Sequence, residues 1–254
     1  MTKRICAALT VKSGLVYLTK GFKVTSCIGR LEFVLEEFDR WQIDEIVVLD
    51  VSKGKQYQLN PNEKTLNAIA NVNISTPLTY GGGINCIDDL DFVSSHGIER
   101  FALTQAVLKK GELLELMNKK YGKQAFVGVL PFFINKKNTV SYCIPFSRVL
   151  SPKEEVKLFD NINDYFSETL LISINDEGFE NLNNFNHFTK ASIKLKTDLI
   201  WYGGFKNSIV IINAFNRNKN LKAIALSNFL TYKENCSVTI KEDLKNNLSI
   251  RPFQ

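Results

Sequence analysis

The sequence has no CxxC pair, no apolar run of membrane-spanning length and no block of like charge. Its five cysteines, Cys6, Cys27, Cys86, Cys143 and Cys236, are odd in number and widely scattered. That argues against a disulfide framework and against a zinc site, and neither a metal nor a cofactor is expected. With no apolar run long enough to cross a bilayer, no membrane partner is expected. The start, MTKRICAALTV, has a short apolar stretch that passes directly into polar residues. It reads as a first strand, not a signal peptide, so the cytoplasm is the expected compartment. The net charge of +6, from 32 Lys+Arg against 26 Asp+Glu, is spread along the chain. No nucleic-acid partner is expected from so diffuse a pattern. No linker, low-complexity segment or composition shift marks a second domain, and residues 1–254 are read as one unit.

What the sequence does have is alternation. Apolar, β-rich runs occur at Arg4–Val11, Glu45–Val51, Thr76–Tyr80, Glu99–Thr104, Gln124–Leu130, Glu168–Ile174, Asp198–Tyr202 and Leu221–Ser227. Helical spacing lies between them. Leu31, Val34, Leu35, Phe38 and Trp41 share one stripe, and Leu108–Tyr121 and Pro152–Phe166 repeat the pattern. Ser151-Pro152 reads as a cap and first turn. Eight strands alternating with helices predict an α/β fold, a (β/α)8 barrel, and the length of 254 residues suits one such barrel.

The chain also repeats itself. Tyr80-Gly81-Gly82-Gly83 corresponds to Tyr202-Gly203-Gly204, and Ala102-Leu103-Thr104 to Ala225-Leu226-Ser227, each pair separated by about 120 residues. Two half-barrels closing into one barrel explain this, since the spacing is too long for a solenoid. In such barrels the functional face lies at the C-terminal strand ends. Glycines there let a phosphate approach backbone N–H groups, and a hydroxyl on the next strand adds a donor. Gly83 with Thr104, and Gly203 and Gly204 with Ser227, are the two candidate phosphate sites. Gly178, in Asp176-Glu177-Gly178, falls beside the second. The same glycines would also serve tight turns alone. His96 and His187 are read as surface residues.

Several stretches carry a family resemblance: Lys3-Arg4-Ile5 with Thr10-Val11-Lys12-Ser13-Gly14, Asp44-Glu45 leading to Leu49-Asp50, Tyr80 to Ile84, and Ser173 to Gly178. Together they resemble the cyclase subunit of imidazole glycerol phosphate synthase over essentially the whole chain. Lys20-Gly21 is similar to that family's mobile lysine loop if one residue is inserted. The resemblance implies two catalytic aspartates, at the ends of strands one and five, where this chain has Thr10 and Leu130. Neither residue serves as a general base near neutral pH, so cyclase activity is expected to be lost. In a working cyclase, Asp50 and Glu177 would be the replacement acid/base candidates, although Asp50 also reads as a turn carboxylate.

The resemblance further implies a charged ring at the barrel bottom that gates an ammonia channel. Its positions are Arg4, Glu45, Arg100 and Glu168, with arginine where the family commonly has lysine. The implied partners are a separate glutaminase subunit, a phosphorylated small molecule and, by similarity to glycosyl amidation-associated members, a sugar amidotransferase. No cysteine lies in a G-x-C-x-G elbow, so the chain is not itself the glutaminase.

Overall fold

The computed structural model describes residues 2–52, 60–109, 111–144, 148–179, 184–205, 207–231 and 236–252. Position 110, inside the helix expected over 108–121, lies outside them. In chain order the first half contains β1 (Arg4–Lys12), β2 (Leu15–Lys20), β3 (Lys23–Arg30), α1 (Leu31–Arg40), β4 (Glu45–Asp50), α2 (Glu63–Ala70), β5 (Leu78–Gly81), α3 (Ile87–Ser94), β6 (Arg100–Leu103) and α4 (Gly111–Tyr121). The second half contains β7 (Phe126–Ile134), β8 (Val140–Tyr142), α5 (Pro152–Tyr165), β9 (Glu168–Ser173), α6 (Asn184–Ser192), β10 (Asp198–Tyr202), α7 (Ser208–Arg217), β11 (Leu221–Leu226), α8 (Asn228–Thr231) and α9 (Cys236–Lys245).

Eight of these strands run parallel in the order β1, β4, β5, β6, β7, β9, β10 and β11, and β11 pairs with β1 to close the sheet. The expected (β/α)8 barrel is the observed fold. Among the described residues no helix is long and apolar enough to cross a membrane.

Closure divides the apolar residues into two populations, because successive strand residues face opposite sides. Cys6, Ala8, Val47, Leu49, Val127, Val129, Leu170, Ile172 and Tyr202 belong to a cluster that contains strand residues and Phe22 but no helix residue, which is the barrel interior. Ile5, Leu9, Ile46, Val48, Leu130 and Trp201 pack instead with Leu31, Leu35, Leu66, Leu114, Leu158 and Phe188 of the surrounding helices. A stave apolar on both faces is the expected signature of a sheet buried on both sides; all six residues of β4 are buried.

The helices are held by local chemistry as well as by burial. Ser151 caps α5: its Oγ accepts from the Glu154 amide at 3.4 Å, and the Glu154 carboxylate accepts from the Ser151 amide at 2.9 Å. This reciprocal box satisfies two donors that helix geometry leaves unpaired. Ser151→Ala is expected to cost about 1 kcal/mol, read as a lower urea midpoint at unchanged slope.

Two hairpins depart from the plain alternating reading. β2 and β3 extend β1 upward, with Thr10 opposite Tyr17. β8 extends β7 in the same way, with Phe132 opposite Tyr142. The half-barrel repeat therefore extends to an antiparallel arm on the first stave of each half.

Candidate functional site

The N-terminal ends of the staves bring the four charged residues into one closed ring. Arg4 Nη1 lies 3.0 Å from Glu45 Oε2, and Arg100 Nε lies 3.2 Å from Glu45 Oε1. The second carboxylate, Glu168, accepts from Nη2 of both Arg4 and Arg100. Thr79 is a fifth member missed by the sequence reading: its Oγ1 donates to Glu45 at 2.5 Å and accepts from Arg100 Nε at 3.2 Å. Its side-chain parity with Gly81 would have indicated an inward position. Burial opposes the charge on Arg4, but the carboxylates of Glu45 and Glu168 outweigh it and raise the pKa of its guanidinium. Directly above, Cys6 is fully buried; burial and Glu45 push its thiol well up, so it stays neutral. Beside the ring, Ile69, Ile74, Pro77, Leu78, His96 and Arg100 line an open cleft of about 380 Å³.

At the opposite end, Thr10 points into the barrel in line with Cys6 and Ala8. It is 3% exposed, and its Oγ1 has no well-aligned hydrogen bond. Leu130 requires a correction. It packs with the outer helices, so no group on its side chain would face the mouth. The inward residue is Pro131. Cys6 pairs with Glu45 and Val127 with Glu168, and the fourth residue above each is Thr10 and Pro131. The correction changes the residue but not the chemistry, since neither end of the pair carries a carboxylate.

Asp50 also faces outward, on the same side of β4 as Ile46 and Val48. Its carboxylate accepts from the Ser52 amide at 2.8 Å and from the Ser52 hydroxyl. Burial pushes its pKa up while bonds from Ser52 and Thr65 oppose the rise. It acts as the turn carboxylate of the two readings, at the top of β4 but facing away from the mouth.

Glu177 is fully buried, and both carboxylate oxygens are occupied. Oε1 accepts from Thr19 Oγ1 at 2.7 Å and from the Tyr202 hydroxyl at 3.2 Å; Oε2 accepts from the Phe22 amide at 2.7 Å. Burial first, then the Glu177 charge, raises the pKa of Tyr202 far above its usual value. The Tyr202 phenol is therefore a donor throughout the accessible pH range.

The glycines stand where the sequence put them, at the tops of the staves. Gly83 has φ +73°, and a Cβ there would meet the Asn60 carbonyl oxygen at 2.2 Å. Thr104 follows β6, the next stave, and is half-buried. Gly178, Gly203, Gly204 and Ser227 converge with Phe179, Tyr202 and Asn228 around one small pocket with about 30 Å³ for water-sized groups. His187 departs from the surface reading: it is half-buried, and its Nδ1 lies 3.2 Å from the fully buried Asp176, which also accepts from Ser173. His96 is partly covered, with Nδ1 2.8 Å from the Phe92 carbonyl oxygen.

Comparison with known proteins agrees with this geometry. The family model described as "Histidine biosynthesis protein" matches residues 4–235. The imidazole glycerol phosphate synthase subunit HisF of Staphylococcus aureus (strain JH9) is 26% identical over 250 residues, covering 96% of each chain. The subunit of the same name from Chlorobium limicola is 28% identical over 232 residues, covering 90% of each. A match this extensive, on a closed barrel with the half-barrel repeat, means that the chain belongs to the histidine biosynthesis protein family.

Proposed function

We propose that this chain is a barrel subunit that partners a separate glutaminase and conducts ammonia, has lost cyclase chemistry, and serves the amidation of a surface-polysaccharide sugar. The observation that carries the reading is an asymmetry. The ring at the bottom is complete, whereas the mouth has Thr10 and Pro131 where acid/base work needs carboxylates. The interior between them is apolar and neutral, lined by Cys6, Ala8, Ala102, Ala223 and Ala225 together with larger side chains such as Val127, Ile172 and Tyr202. Such a lining passes neutral ammonia and rejects ammonium, because an unpaired charge there would lose its hydration uncompensated. The cleft beside Arg100 opens on the bottom face, where the glutaminase would dock. The relatives are named as synthase subunits, which supports a role in an assembly. The sugar amidotransferase as ammonia acceptor rests on the resemblance to amidation-associated members.

The test is glutamine hydrolysis by a glutaminase subunit from the same organism, with and without the barrel. The barrel is expected to raise glutamate formation by roughly tenfold or more, within the usual range for coupling between two sites. An unchanged rate in a mixture shown by sedimentation to contain both proteins would sink the proposal. The names of the relatives favour a second reading, a working cyclase, and the assay that opens the Discussion separates the two.

A further inference from the structure

We infer that the Tyr202 side chain is an upper gate of the barrel interior, a stopper that the first half lacks and that Glu177 holds shut. The ring glutamates put the two halves in correspondence. Four residues above Glu45 is Leu49, which pairs with Gly81; four residues above Glu168 is Ile172, which pairs with Tyr202. Gly81 and Tyr202 therefore hold equivalent inward positions on β5 and β10. A Cβ on Gly81 would meet Ala102 and Leu49, both interior residues. Tyr80, the tyrosine of the first half, instead packs outside with the helices, as does Trp201. At this place one half presents a hydrogen atom to the interior and the other a phenol.

The phenol ties the top of the interior together. Tyr202 is in register with Ala225, and Ala225 with Cys6, so these inward residues stand side by side on β10, β11 and β1. The Tyr202 side chain is fully buried. Its hydroxyl donates to Glu177 Oε1 at 3.2 Å, with the hydroxyls of Ser227 and Thr10 beside it. The end of β1, the turn after β9 and the end of β11 thus meet at one oxygen. A hydrogen bond to a carboxylate is stronger than a neutral one, so the resting position is closed. Cys6 and the alanines beside it lie between this barrier and the charged ring below. The use of the gate for ammonia rests on the proposed function. There the conduit would be shut at both ends, and ammonia would leave when an acceptor at the mouth draws the phenol off Glu177.

Cys6, buried between the two barriers, reports on access to the interior. The test treats full-length wild type, Tyr202→Gly and Tyr202→Phe with methyl methanethiolsulfonate, a small neutral reagent that transfers a methylthio group to a thiol. Peptide mass spectrometry follows each cysteine. Cys6 is expected to react roughly tenfold faster in Tyr202→Phe, the lower end of what one hydrogen bond to a charged group contributes, and faster still in Tyr202→Gly. Cys236, buried among the helices outside the barrel, is expected to keep its wild-type rate. A folded Tyr202→Gly protein whose Cys6 reacts as slowly as wild type would overturn the gate. If that variant does not fold, Tyr202→Phe decides, and an unchanged Cys6 rate there overturns a gate held by Glu177. Equal acceleration at Cys6 and Cys236 would overturn it too, as general loosening of the fold. None of these measurements needs a glutaminase. The gate can therefore fail with the proposed function intact, and unstimulated glutamine hydrolysis removes that function with the gate intact.

Discussion

Supplied with the bisphosphate substrate of the histidine-pathway cyclase and excess ammonium, the purified chain is expected to turn over at least ~10⁴-fold more slowly than a cyclase with both aspartates. Each missing acid/base group costs roughly 10²–10⁴-fold, and the two losses need not multiply in full. Thr10 retains only a hydroxyl, and Pro131 has no side-chain proton to give or accept. Asp50 does not substitute, since it is tied to Ser52 on the outer side of β4. Glu177 does not substitute while its oxygens hold Thr19, Phe22 and Tyr202. Restoring carboxylates separates the two candidate positions on strand five. Thr10→Asp with Pro131→Asp puts both groups at the mouth and is expected to return measurable turnover. Leu130→Asp puts a carboxyl among the outer helices. It is expected to give no turnover and to cost several kcal/mol, since a buried polar group without a partner typically loses ~2–7 kcal/mol. Turnover of the wild type at ordinary rates would establish a working cyclase and remove the central reason for the proposed function.

The barrel was legible because its staves are apolar on both faces and its helices are apolar on one. Asp198–Tyr202 and the start of Glu168–Ser173 coincide with the runs read from the sequence. The ring was legible through the family resemblance, and the places of Arg4, Glu45, Arg100 and Glu168 at the starts of apolar strands fit it, because a charge there must find partners. Strand five was misread because Phe126–Ile134 has no polar alternation to fix which residues face inward. Only its register against β9 assigns Pro131 to the mouth. The β2–β3 hairpin left a signal that was not used, β-rich segments on either side of Lys20-Gly21. Its anchoring to Glu177 left none, since Glu177 meets Thr19 and Phe22 from more than 150 positions away. No local pattern encodes that contact.

The ring allows the second large prediction. Glu45→Leu is expected to destabilise the fold by about 3–5 kcal/mol, because it leaves two arginines facing one carboxylate at a mostly buried site. The side chains of Arg4 and Arg100 are only 19% and 22% exposed, and that of Glu45 is 3% exposed. Water therefore cannot compensate the excess charge well. Glu45→Leu with Arg100→Leu removes one charge of each sign and leaves Arg4 paired with Glu168. The double variant is expected to lose less stability than Glu45→Leu alone, the mark of strong coupling between contacting groups. Urea unfolding of the four proteins in the cycle measures this directly. A coupling of several kcal/mol means that the ring is closed at rest and that, under the proposed function, ammonia would pass only when something moves an arginine. Additive losses would mean that Glu45 and Arg100 act independently. The ring would then be a loose collection of charges, with no barrier for a docked partner to control.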